Sequence, residues 1–259
     1  MRKIRIGIIG GTGGIGRWFV HFFQKEGFEV HVSGRSIGPD FQTLARLCPV
    51  VVVSVPIKAT CQVIEQVGPF MPEDSLLMDL TSLKEEPVKT MLKSSRSEVI
   101  GLHPLFGPKI KSMSGHNIVL CPVRSRKWHP WIKNIFLKNR ARLIETTPRH
   151  HDELMALVQG LNHLNSITLG LTLGRSGFNL EELKQFATPI LKTKLEILKK
   201  IFSPNPRLYA EIITQNPYLP KVVKEYGKSL SELKKWNDRK DSENLQKRIE
   251  GTKLFINKL

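Results

Sequence analysis

Ile4-Arg5-Ile6-Gly7-Ile8-Ile9-Gly10-Gly11-Thr12-Gly13-Gly14-Ile15-Gly16, followed by the helix-like stretch Trp18 to Lys25, decides the fold of this 259-residue chain. An apolar run breaks into a glycine turn and a helical pattern begins, which is the setting of a dinucleotide-binding fingerprint. In Gly11-x-Gly13-x-x-Gly16 the first glycine permits a tight turn, the second lets backbone approach a pyrophosphate, and the third lets helix pack on strand. Thr12, Gly14 and Ile15 complete the loop.

Further apolar runs follow at Val30–Ser33, Val50–Val55, Leu76–Asp79, Val99–Leu102 and Asn117–Leu120, with helical patterns between them, and Arg140–Ile144 reads as a last short strand. Near-continuous apolar strands are buried on both faces, so the expected fold is α/β, a doubly wound Rossmann-type parallel sheet. Ligands of such sheets bind beyond the carboxyl ends of the strands, where Gly11, Ser54-Val55-Pro56, Thr81-Ser82 and His103 gather. From Thr147 as N-cap and Pro148 as first helical residue the pattern is helical only, over about 148–173, 179–202, 206–214, 217–236 and 241–257. The expected domains are residues 1–147, binding the dinucleotide, and residues 148–259, all-helical. The apolar faces of the second exceed what a short bundle hides and favour docking on a second copy as a homodimer.

A formal net charge of +17 raises nucleic acid or an anionic membrane as partner. The excess is spread along the chain, and runs such as Arg124-Ser125-Arg126-Lys127 lack aromatic interleaving or a zinc-finger frame, so neither partner is expected. No apolar stretch approaches a membrane span, and Met1-Arg2-Lys3 leads into a strand rather than a signal-peptide core, which points to the cytoplasm. Cys48, Cys61 and Cys121 lack ligand spacing and read as buried thiols of a reducing compartment, with no metal expected.

The second strand ends in Ser33-Gly34-Arg35-Ser36, without the carboxylate that usually binds the ribose hydroxyls of NAD. A guanidinium flanked by hydroxyls suits a 2′-phosphate, so NADP is the expected cofactor and NAD the alternative. Ser33, Arg35 and Ser36 join the glycine loop, Val55 and Pro56 as cofactor residues, although Arg35 also reads as a solvated turn residue. Gly101-Leu102-His103-Pro104-Leu105-Phe106-Gly107-Pro108 sets His103 between an apolar strand and a stiff turn, as a candidate general base.

These segments, with Asp79-Leu80-Thr81-Ser82-Leu83-Lys84, His151-Asp152, Gln159-Gly160-Leu161-Asn162-His163, Ala187-Thr188-Pro189-Ile190 and Asn205-Pro206-Arg207-Leu208-Tyr209-Ala210-Glu211-Ile212, occur in one order. Over essentially its whole length the chain resembles the prephenate dehydrogenase family, most of all its archaeal members and the dehydrogenase half of enterobacterial bifunctional enzymes. The resemblance implies NADP-dependent oxidative decarboxylation of prephenate or arogenate in tyrosine biosynthesis, with a Rossmann domain and a helical dimerisation domain. It implies that His103 accepts the C4-hydroxyl proton as hydride passes to the nicotinamide, and that Ser82 orients groups beside it. Gln159 and His163 would line the substrate pocket, and Tyr209 matches an aromatic position that can approach the partner's site. His163 and Tyr209 read equally as core residues, and His151-Asp152 as a helix-start pair that fixes domain geometry.

Two positions depart from the family pattern. Lys200 stands where the family places a substrate-gripping arginine, so a lysine is the expected substrate cation, without the planar two-pronged grip. Lys109 replaces an acidic residue common after the His-Pro turn. These changes leave room for a prephenate analogue such as 4-amino-4-deoxyprephenate, or for a non-catalytic NADP-binding partner protein. A β-hydroxyacid dehydrogenase would place a lysine within His151 to Leu173, where there is none. With no mutase or regulatory segment read in the 259 residues, tyrosine feedback is expected to act through the active site itself.

Overall fold

The computed structural model describes residues 4–34, 36–202 and 205–257. Compactness divides the chain into Met1–Asn216 and Pro217–Leu259. Strands β1 (Arg5–Ile9), β2 (Glu29–Ser33), β3 (Val50–Val53), β4 (Leu76–Asp79), β5 (Glu98–Pro104), β6 (Asn117–Arg124) and β7 (Arg142–Glu145) form one sheet in the order β2-β1-β3-β4-β5-β6-β7. Helices α1 (Gly14–Lys25) and α5 (Trp128–Lys138) cover one face; α2 (Phe41–Leu47), α3 (Ile57–Val67) and α4 (Glu85–Ser94) cover the other.

Period-two alternation explains the two layers. Ile6, Ile8, Val50, Val52, Ile100 and Leu102 pack with Phe19, Phe23 and Phe136, whereas Ile9, Val51, Val53 and Val99 pack with Leu44, Ile64 and Met91. By the same parity Gly101 and His103 face α4. A Cβ on Gly101 would come within 2.7 Å of Val88, so glycine there admits the helix.

The sheet is doubly wound, with one departure from the expected parallel order: β5 and β6 are antiparallel. No helix lies between them, and a direct return without a crossover must be antiparallel. The β5 strand runs on through His103 and Pro104, held by Leu105 N–H donating to Asn117 O at 2.9 Å. The catalytic candidate thus sits on the sheet itself, beyond the expected strand end at Leu102. Arg140 takes a left-handed turn (φ 58) and delays β7 to Arg142.

Thr147 caps α6 (Pro148–Met155), its hydroxyl accepting from His150 N–H at 3.2 Å. The expected single helix over 148–173 is interrupted by a π-helical turn, Ala156–Leu161, before α7 (Asn162–Gly174). The 179–202 segment also divides, into α8 (Leu180–Gln185) and α9 (Pro189–Phe202), because Thr188 precedes a proline and starts a new helix. The helix α10 (Pro206–Gln215) completes the first unit. The second unit is the helical pair α11 (Leu219–Asp238) and α12 (Ser242–Ile256), turned at Lys240 (φ 53).

Candidate active site

Strand order reverses between β1 and β3, and crevices of open α/β sheets lie at that switch, beyond the carboxyl ends. A cavity of about 530 Å³ is found there, lined on one side by Gly13, Gly14, Ile15 and Gly16 and on another by Ser54, Val55 and Pro56. The expected tight-turn role of Gly11 falls instead on Gly10. Gly10 has φ 81, and a Cβ on it would stand 2.2 Å from the Ser54 carbonyl oxygen. The pairing of β1 ends at Ile9, so the chain must turn at once, while Gly11 is buried against Val32 and Val20. A Cβ on Gly16 would meet Gly10 O at 2.4 Å, which makes its packing role a steric requirement.

Gly13 caps α1 with no side-chain acceptor, so the first-turn amides are open to an anion. The buried Ser54 hydroxyl has no hydrogen-bond partner among the described residues. Bare glycine backbone, open amides and an orphaned hydroxyl fit the pyrophosphate and ribose of a dinucleotide. Thr12 is exposed outside the cavity, its carbonyl accepting from Arg17 Nη2 at 2.8 Å. At the end of β2, Ser33 is buried and donates to Pro39 O at 2.7 Å, and Ser36 is exposed. Arg35 lies outside the described residues.

At the inner end, His103 is 3% exposed and stands between two polar partners. Its Nδ1 meets His151 Nε2 at 2.9 Å, and His151 Nδ1 meets Asp152 Oδ1 at 2.7 Å. Asp152 also accepts from the backbone N–H of Lys84 (2.8 Å, on Oδ1) and Glu85 (2.9 Å, on Oδ2), at the start of α4. The Asp152 carboxylate, already accepting from two backbone N–H groups, accepts from His151 as well, and with His151 held neutral by burial these contacts order the protons from Asp152 to His103. His151 donates through Nδ1 and accepts through Nε2, and His103 donates through Nδ1. His103 Nε2 is left unprotonated, its lone pair accepting only a long contact from the Gln159 amide nitrogen at 3.4 Å.

Beneath the histidines the fully buried Lys84 pairs with Asp79 and donates to Leu102 O at 3.0 Å, while Thr81 Oγ1 donates to Leu83 O at 2.8 Å. Burial, followed by the neighbouring His151 and Lys84, holds the His103 imidazole well below the ordinary histidine value. His151 is lowered by burial against the opposing pull of Asp152, and His163 by burial. The three cysteines are free thiols, with Cys48 and Cys121 buried as expected but Cys61 only half-buried; burial pushes Cys48 up to about 11 and Cys121 up to about 12, which disfavours thiolates.

Gln159, His163 and Tyr209 line the same cavity, with the His163 and Tyr209 rings edge to face at 4.9 Å between centroids. Gln159 Oε1 and His163 Nδ1 are buried without partners among the described residues, two groups that a polar substrate could satisfy. Gln159 belongs to the π turn, whose i→i+5 spacing takes more residues per revolution and brings it round to the side of His151. Ser82 also lines the cavity but makes no hydrogen bond to His103, both of whose nitrogens are engaged elsewhere. Lys200 is exposed on α9 and does not line the cavity; Arg207 does. Sequence reasoning left the His151 contact, Ser54 and Arg207 unassigned. For His151 the available signal was the His-Asp pair directly after a helix cap.

Among the described residues no group of three His, Cys, Asp or Glu could hold a metal ion, and no helix is long and apolar enough to cross a membrane. A family model described as "Prephenate dehydrogenase, nucleotide-binding domain" matches residues 35–145, and its "dimerization domain" counterpart matches 147–250. A Methanocaldococcus jannaschii protein named "Probable arogenate/prephenate dehydrogenase" is 36% identical across 92% of this chain and 58% of its own. The chain thus spans little more than half of that relative. A Streptomyces pristinaespiralis protein named "4-amino-4-deoxyprephenate dehydrogenase" is 26% identical across 91% of this chain and 86% of its own. The fold matches Aquifex aeolicus prephenate dehydrogenase, solved with hydroxyphenyl propionate and NAD+, at a TM-score of 0.77 and 19% identity, covering 100% and 99% of the two chains.

Proposed function

Because the chain belongs to the prephenate dehydrogenase family, we propose that it oxidatively decarboxylates prephenate or arogenate with NADP, and that His103 Nε2 is the base. The observation that carries this reading is the proton order from Asp152 through His151 to His103, which leaves one unprotonated nitrogen on the cavity wall beside the glycine cradle. A nicotinamide held by the glycine loop, Ser54, Val55 and Pro56 would supply the two-electron oxidant, taking up a hydride from the ring carbon that bears the hydroxyl. His103 takes the hydroxyl proton as that carbon is oxidised, displacing the weak Gln159 contact in favour of the substrate oxygen. The imidazolium so formed still donates to His151, whose own proton is anchored on the Asp152 carboxylate. Breaking the bond to the ring carboxylate then releases CO2, and its electron pair restores the aromatic ring.

The glycine loop, Ser54, Val55 and Pro56 would hold the dinucleotide, and Ser82, which lines the same cavity, would orient groups beside the reacting atoms. The motif Ser33-Gly34-Arg35-Ser36 supports NADP over NAD. The nucleotide-binding and helical domains divide at 147/148. A homodimer built through the helical domain accounts for exposed Phe178, Phe186 and Ile190, which a monomer would leave in water. The Streptomyces relative, most of whose length the chain spans, supports an amino-substituted prephenate as a second reading of the substrate. The test follows reduced nucleotide near 340 nm, roughly the absorbance of a reduced nicotinamide, for prephenate, arogenate and 4-amino-4-deoxyprephenate, each with NAD and NADP. Turnover of prephenate or arogenate with NADP is expected; no turnover in any pair would sink the reading.

A further inference from the structure

The substrate end of the cavity holds two histidines that burial keeps neutral and, among the described lining residues, one permanent cation, Arg207. Arg207 stands on the first turn of α10, and its Nε donates to Glu211 Oε1 at 2.7 Å. Glu211 is 4% exposed, and its other oxygen accepts from Lys58 N–H at 3.4 Å, at the start of α3. A buried carboxylate anchored on two elements fixes the guanidinium by one edge. The two terminal nitrogens have no partner among the described residues, and the side chain is 62% exposed. Lys200 offers nothing comparable, since it lies outside the cavity.

We propose that Arg207, aimed by Glu211, grips the side-chain carboxylate of the substrate, the task expected of Lys200; this rests on the dehydrogenase reading above. A guanidinium with one edge occupied still offers N–H donors in a plane, the geometry that matches a carboxylate. The ring carboxylate is the wrong partner. It leaves as neutral CO2, so an ion pair to it would be stronger in the ground state than in the transition state and would slow the reaction. The side-chain carboxylate keeps its charge from substrate to product.

Steady-state kinetics on the full chain test the assignment with Arg207→Gln, Arg207→Lys and Lys200→Gln beside the wild type. Arg207→Gln is expected to raise KM for the substrate and the inhibition constant of the hydroxyphenyl product by about 10- to 100-fold each, leaving KM for the nucleotide within about two-fold. Arg207→Lys should recover part of the loss, because it restores charge without the planar grip. If Arg207→Gln fails to fold because Glu211 is left unpaired, the double variant with Glu211→Gln carries the same expectation. An unchanged substrate KM, a loss confined to the nucleotide, or the loss in Lys200→Gln instead would overturn the clamp. A wild type silent with every substrate and nucleotide pair marks failure of the dehydrogenase reading, and the clamp falls with it.

Discussion

The two ends of the cavity are built from different materials. At the nucleotide end the shape comes from backbone within one short loop, where Gly10, Gly13 and Gly16 stand close together in sequence. At the substrate end it comes from side chains on β5, α6, the π turn, α7 and α10, spread from His103 to Glu211. Backbone cradles tolerate the loss of side-chain atoms but not their addition. Hydrogen-bonded side-chain chains behave oppositely, since one removed atom leaves a buried partner unsatisfied. Substitutions at the two ends should therefore fail in different ways.

The largest effect is expected at His103. His103→Ala should lower kcat by about 1,000-fold, in the range of a lost general base, with little change in KM for the nucleotide. Equal losses in kcat and nucleotide binding would break the contrast between the ends. Asp152→Asn should cost about 100-fold in kcat, because the amide cannot accept from Lys84 N–H, Glu85 N–H and His151 together and the tautomer order is lost. An unaltered pH–rate profile in that variant would show that the carboxylate merely caps α4.

The depressed histidines also set a pH dependence of stability. His103 and His151 titrate below the ordinary histidine value, so the folded state binds fewer protons than the unfolded one once the pH drops. Their contribution is complete above about pH 6.5 and is lost as pH falls toward the folded values, by at most about 1.4 kcal/mol per pH unit for each. Calorimetric Tm should decline below about pH 6.5, and the slope should flatten in a His103→Gln, His151→Gln double variant. A Tm indifferent to pH there would contradict a neutral pair.

At the nucleotide end the sharpest probe adds a methyl. Gly16→Ala drives a Cβ to within 2.4 Å of the Gly10 carbonyl oxygen, so either α1 or the loop must move. We expect about 1–3 kcal/mol lower stability, in the range of an overpacked core, and a higher KM for the nucleotide with kcat nearly kept. Chemical denaturation and nucleotide titration measure both quantities.

The same contrast governs what could be read in advance. The β1 strand, the glycine loop and α1 were legible because strand, turn and helix signals sit side by side, although the turn moved from Gly11 to Gly10 and the helix starts at Gly14 rather than Trp18. His103 stood out as a candidate base from its place between an apolar run and a stiff turn, and it lines the cavity. Its bond to His151 joins residues 48 positions apart, which no periodicity records. The π turn was hidden because a regular pattern of apolar residues continues across it, so helical spacing appeared unbroken over 148–173. Arg207 looked like an ordinary helix-start residue, and only the packing of α10 against α3 through Glu211 gives it a place in the cavity. The antiparallel β6 follows from a connection without a helix, and its glycine- and proline-bounded turn carries no mark of direction.

The smallest effect concerns the nucleotide's far end, where the contrast predicts an exception. Most of that end is backbone, yet a choice between NADP and NAD cannot come from backbone amides, which meet the same pyrophosphate in both. A side chain must supply it, and the β2 end offers one guanidinium and no carboxylate in Ser33-Gly34-Arg35-Ser36. Ser33 already donates to Pro39, which leaves Arg35 and the exposed Ser36 to meet a 2′-phosphate. Arg35→Ala should lower the ratio of kcat/KM for NADP over NAD by about ten-fold, the worth of one charge-assisted contact, with NAD turnover unchanged. A ratio that stays put would show that Arg35 does not set the nucleotide choice, and the preference would have to come from another side chain such as Ser36.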